Sequence, residues 1–169
     1  LDIGLCGTEE VYFATFDQAV GGGIMVTASH NPPDFNGMKF VREESRPISG
    51  DSGLGDIHRL AESGDFETPA ATGSVERIEV WDRYVRHLLG YVDVGALKPL
   101  KIVVNAGNGG AGLTIDRLEP HLPFEFVKVH HEPDGTFPHG VPNPLLPENR
   151  GATAAAVRES GAQLGIAWD

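Results

Sequence analysis

Apolar residues in this chain come in runs no longer than a strand, with stretches of helical period standing between them. The strand-like runs are Ile24–Ala28, Met38–Val41, Leu100–Val104, Phe124–Val129 and Leu164–Trp168. Helical spacing governs Tyr12, Phe13, Phe16, Ala19 and Val20, and again Val75, Ile78, Trp81, Val85, Leu88 and Leu89. Leu54–Ser63, Leu113–Leu122 and Ala152–Ser160 complete the helical set. Thr8 is placed to cap the first helix, whose opening turn carries Glu9 and Glu10 against the helix dipole, and Gly21–Gly23 is placed to end it. Strands alternating with helices predict an α/β fold with helices layered on mixed, largely parallel sheets. Residues 42–53, 105–112 and 130–150 read as loops, and residues 65–74, which have no period, as a linker.

Composition narrows what such a fold serves. No run approaches the length of a membrane span, and no charged-then-apolar stretch opens the sequence. A formal charge of −11 argues against nucleic-acid binding, which needs a basic surface. A single cysteine, Cys6, excludes an internal disulfide and suits a reducing cytoplasm. Leu1 and Asp169 both fall inside what read as folded segments, so the chain is expected to be part of a longer protein.

The chemistry concentrates in residues 26–41. The Ile24–Ala28 run delivers Ser29 to the mouth of a loop that Pro32, Pro33, Asn36 and Gly37 turn back on itself. A hydroxyl at a strand end, beside the imidazole of His30 and with Lys39 on the returning segment, is an arrangement suited to a nucleophile. The same residues are also ordinary turn chemistry, because Asn and Pro favour loops on their own account. Lys39 is the odder residue: on an extended path it points away from the face shared by Met38 and Phe40, to water or into a polar cleft.

Thr27-Ala28-Ser29-His30-Asn31-Pro32, followed by Asn36-Gly37-Met38-Lys39, resembles the active-site loop of the α-D-phosphohexomutases. Gly7-Thr8-Glu9-Glu10, Arg46-Pro47-Ile48-Ser49-Gly50-Asp51 and Asn143-Pro144-Leu145-Leu146-Pro147-Glu148 resemble the bacterial phosphomannomutase branch of that family. The resemblance implies two α/β/α domains, both truncated. Residues 1–75 would be the C-terminal part of domain 1 with the phosphoserine loop, and residues 76–169 domain 2, ending where a metal-binding loop starts. It implies an isomerase that interconverts mannose 6-phosphate and mannose 1-phosphate through a phosphoserine at Ser29 and a bisphosphorylated sugar. Phosphoglucomutase and phosphoglucosamine mutase chemistry stand as alternatives within the family. Lys39 would be the general acid/base and His30 would position substrate or assist proton transfer. Mg2+ would be bound through the Ser29 phosphate and Asp169, the first residue of the family's Asp-Gly-Asp-x-Asp-Arg loop. A sugar 1,6-bisphosphate would act as activator, a phosphosugar would be the partner, and no nucleic acid or membrane is implied. With one ligand carboxylate and without the sugar- and phosphate-recognition segments, the 169 residues alone are expected to bind metal poorly and not to turn over.

A rival motif comes later. Gly107-Asn108-Gly109-Gly110-Ala111-Gly112 fits G-x-G-x-x-G between a predicted strand and a predicted helix, and Glu132 lies twenty residues beyond Gly112. That is the pattern of a dinucleotide-binding unit in an oxidoreductase. It is also what a tight strand-to-helix turn requires, and the resembled family carries such a turn without a dinucleotide, so the structural reading is preferred. His130, His131 and Glu132 raise the question of a metal, but adjacent residues on an extended segment face opposite ways, so they read as solvated loop residues.

Overall fold

Glu10 sets the start of the first helix. Its carboxylate accepts the backbone N–H of Gly7 at 2.8 Å, which makes Gly7 the cap and Thr8 the first helical residue of α1 (Thr8–Asp17), one position from the expected cap. The helix stops at Asp17, before the glycines, because Ala19 adopts a left-handed φ of 50°. The computed structural model describes residues 1–169. β1 (Gly22–Val26) therefore begins inside the glycine run, and its end is two residues earlier than expected. It pairs antiparallel with β2 (Met38–Arg42), with Met25 opposite Lys39 and Val26 opposite Met38.

α1 is covered on two sides. Val11 and Thr15 face the hairpin, while Phe13 and Ala14 join Val80 and Tyr84 in a buried cluster. Tyr84 lies on α3 (Trp81–Leu89), which replaces the helix expected from Val75. Residues 76–78 are extended instead: Ile78 N–H donates to Asp2 O at 2.9 Å, and Asp2 N–H to Glu76 O at 2.8 Å. α2 (Gly55–Ser63) ends at Gly64, and residues 64–77 are exposed throughout. The 42–53 region is less plain than a loop, with a 3-10 turn at Glu43–Ser45 and a wide turn over Gly50–Leu54.

The second half is a three-stranded parallel sheet in the order β4-β3-β5. β3 (Leu100–Asn105) is central and is buried from Ile102 to Asn105, as a parallel strand covered on both faces must be. α4 (Ala111–Leu118) covers one face, where Ile115 packs with Ile102 and Val104 against Phe124, Phe126 and Trp168. α4 starts and ends earlier than the apolar pattern suggests, and a 3-10 turn takes Glu119–His121. β4 (Phe124–Val129) follows, and residues 130–146 run as irregular loop before a 3-10 turn at Pro147–Arg150. α5 (Gly151–Ser160) leads to β5 (Leu164–Ala167), whose Gly165 lies close against Thr153, Val157 and Val103. Because β4 and β5 flank β3 on opposite sides, the carboxyl ends of β3 and β5 form the kind of crevice where open α/β sheets hold ligands.

Candidate active site

The serine loop is an extension of the hairpin. Thr27 N–H donates to Gly37 O at 2.9 Å, one step beyond the last strand pair. Within the loop, Thr27 Oγ1 accepts the Ser29 N–H at 3.0 Å, and the Asn31 amide donates to Ala28 O at 2.6 Å. These bonds hold Ser29 at φ 55°, a left-handed conformation that costs an ordinary residue roughly 1–2 kcal/mol. Ser29 is exposed, so the strained turn presents its hydroxyl outward.

The other half of the site arrives along β5. Trp168 N–H donates to Asn105 O at 3.0 Å, adding a rung past the strand end, and Asp169 follows. His30 Nδ1 then lies 2.7 Å and 2.8 Å from the two carboxylate oxygens of Asp169. Both side chains are 40% exposed, so the pair contributes at most about 1 kcal/mol to stability; its meaning is geometric. The structure therefore brings two of the four expected site residues, His30 and Asp169, into contact where the two halves of the chain touch, with Ser29 next to His30 along the loop. Lys39 makes no contact with them: it is exposed on β2 opposite Met25, the water-facing of its two expected settings, and Met38 beside it is 59% exposed.

The 130–150 segment holds more than solvated residues. His130 stacks on His139, ring centroids 3.8 Å apart and planes 11° from parallel. Asn108 Nδ2 donates to Glu132 O at 2.8 Å, which leaves its Oδ1 to accept from His139 Nδ1 at 2.9 Å. A cavity of about 140 Å³ opens here, with His130, His139, Asn143, Glu148, Asn149 and Trp168 in its wall. Burial, and then His139, push the His130 imidazole below its ordinary value. His131 turns the other way, as neighbours on an extended path do, with Nε2 2.8 Å from Asp116 Oδ1. Its side chain is only 12% exposed, a correction to the solvated reading. Burial works to raise Asp116, but the hydrogen bonds from Lys128 and His131 hold it below the usual carboxylate value. The three residues 130–132 form no metal cluster. The signal for the histidine stack was the Asn108 side chain among glycines, since an amide in that turn needs partners from a neighbouring loop.

The glycine-rich turn is filled by protein. A Cβ on Gly112 would stand 2.2 Å from His131 O, one on Gly110 3.2 Å from Cys6 O, and one on Gly107 2.4 Å from Pro142 Cβ. The space a pyrophosphate would need is occupied, and the glycines serve close packing.

The family description "Phosphoglucomutase/phosphomannomutase, alpha/beta/alpha domain I" matches residues 1–68, and the corresponding domain II description matches residues 82–169. A protein named "Phosphohexose mutases" from Xanthomonas campestris pv. campestris is 62% identical over 169 residues, covering all of this chain and 38% of that protein. A phosphomannomutase of Salmonella typhimurium is 61% identical over 176 residues, covering all of this chain and 39% of the relative. Among solved structures, a phosphoglucomutase/phosphomannomutase family protein from Burkholderia thailandensis superposes with a TM-score of 0.83 at 36% identity, over 99% of this chain and 37% of that one. The chain thus spans well under half the length of the proteins it matches.

Proposed function

Because the chain belongs to the phosphoglucomutase/phosphomannomutase family, we propose that the protein of which it forms part is a phosphomannomutase. It interconverts mannose 6-phosphate and mannose 1-phosphate, with glucose and glucosamine phosphates as the alternative substrates. The observation that carries this reading is the juxtaposition of the strained, exposed Ser29 with the His30–Asp169 pair.

Ser29 serves as the phosphoryl carrier. When the sugar hydroxyl attacks the phosphoserine, the new P–O bond forms to sugar oxygen and the bond to Ser29 Oγ breaks. Lys39, on the strand that returns from the serine loop, takes the proton from the attacking hydroxyl as general base. The resulting bisphosphate turns over, Ser29 Oγ attacks its other phosphoryl, and the bond from that phosphorus to the sugar oxygen breaks as Lys39 returns its proton to that oxygen. His30 holds the carboxylate of Asp169 at the reacting centre. The donors available there, a carboxylate and a phosphate oxygen on Ser29, are hard oxygens of the type that suits Mg2+. Asp169 and the Ser29 phosphate would hold that ion, and its charge would offset that of the transferring group. A sugar 1,6-bisphosphate primes Ser29. We place the domain boundary near residue 75, within the exposed 64–77 stretch, and the protein in the cytoplasm, where the unpaired Cys6 stays reduced.

The test uses the full-length protein. After exposure to mannose 1,6-bisphosphate, intact mass should rise by one phosphate that maps to Ser29, and Ser29→Ala should show no gain. A Ser29→Ala protein that still accepts the phosphate would remove the serine from this role.

A further inference from the structure

We propose that Asn105, through Thr153, is the positioning residue that aims Asp169 at the reacting centre. The inference rests on the reading of Asp169 as a metal ligand. Asn105 is the last residue of β3 and is 6% exposed, yet it is a polar amide in an otherwise apolar sheet core. Its carbonyl and both polar atoms of its side chain each have a partner. Its carbonyl accepts the Trp168 N–H at 3.0 Å, immediately before Asp169. Its side-chain Oδ1 accepts the Gly107 N–H at 3.0 Å. That leaves Nδ2 to donate to Thr153 Oγ1, also at 3.0 Å, in a fully enclosed contact.

One residue thereby ties together the end of β5, the turn after β3 and helix α5. The register supports this, since Asn105 stands opposite Ala167 on β5 and opposite Val129 on β4. Asp169 lies past the last strand pair, so its backbone direction depends on the rung that Asn105 supplies. An apolar residue at 105 would keep that carbonyl but release the turn and the helix, and the sheet end would be free to shift. A buried amide satisfied on both sides is costly to disturb, because either partner left alone is an unpaired polar group. His30 orients the Asp169 carboxylate directly, and Asn105 acts one step further back, on the backbone that carries it.

The experiment measures Mn2+ binding to the full-length protein by electron paramagnetic resonance, alongside kcat and KM. Asn105→Ala and Thr153→Val should each weaken Mn2+ binding by about 10-fold or more. Both should lower kcat while leaving KM for the sugar phosphate within about twofold, as expected when only an interaction made in the transition state is lost. Thr153→Ser, which keeps the hydroxyl, should bind Mn2+ as the unaltered protein does. If Asn105→Ala does not fold, the Thr153 pair decides. Unaltered Mn2+ affinity in Thr153→Val or Asn105→Ala, with affinity lost in Asp169→Asn, overturns the positioning role alone. Unaltered affinity in Asp169→Asn overturns that role and the ligand assignment together.

Discussion

A Cβ added to Gly37 would stand 2.7 Å from the carbonyl oxygen of Thr27. That carbonyl belongs to the residue whose side chain holds the Ser29 N–H, so the two sides of the serine loop press on each other at this point. Gly37→Ala should push them apart, destabilising the protein by roughly 1–3 kcal/mol. The same change should slow phosphate uptake by Ser29. Chemical denaturation and timed mass measurements check the two effects separately.

Lys39 has no hydrogen bond to the residues it is proposed to serve, so its contribution should appear in the chemical step. Lys39→Ala in the full-length protein should lower kcat by roughly 10²–10⁴-fold. Lys39→Arg should not restore it, because a guanidinium stays charged and cannot take a proton. Steady-state kinetics on mannose 1-phosphate decides; a variant within a few-fold of normal removes Lys39 from proton transfer.

Glu10 gives a pH dependence of known sign. It is 1% exposed, and burial pushes its carboxyl up to about 7 from an ordinary value of 4.5, against the opposing hydrogen bond from Gly7. The folded chain thus keeps this proton between those two values while the unfolded chain releases it. Its contribution to stability is complete below pH 4.5, declines as pH rises to about 7, and is flat above that. The decline is on the order of 3 kcal/mol. Glu10→Gln retains an acceptor for Gly7 N–H and should abolish this part of the pH dependence, leaving the variant more stable than the parent at pH 8. Urea melts at several pH values read it directly.

Gly112 distinguishes packing from nucleotide binding. With His131 O only 2.2 Å from where its Cβ would sit, Gly112→Ala should destabilise by roughly 2 kcal/mol or more. NADH at millimolar concentration should leave the protein's fluorescence unchanged. Saturable quenching would reinstate a dinucleotide site at this turn.

Much of the second half is legible in the order of residues. Phe124–Val129 alternates, Ile102–Val104 is unbroken apolar sequence, and both are strands where the pattern puts them. The misplacements have long-range causes. Val75 and Ile78 sit at helical spacing with Trp81, but the segment between pairs with Asp2 from the far side of the sequence and stays extended. Phe16 matches the helical spacing of α1 yet is 43% exposed, because the covered faces run through Val11, Phe13, Ala14 and Thr15 instead. Turn residues and spacing mark Ser29, His30 and Lys39 as candidates; the structure brings His30 to Asp169 and leaves Lys39 exposed on the strand opposite Met25. That Asp169 would close on His30 is a tertiary fact, as are the His130–His139 stack and the three-way tie at Asn105.

The contact between His30 and Asp169 spans 139 positions. A ribosome adding about 5–20 residues per second leaves roughly 7–30 s between the emergence of one and of the other. For that interval the nascent serine loop is without the carboxylate that His30 holds in the finished fold, and the loop has to wait for the last strand before that partner exists.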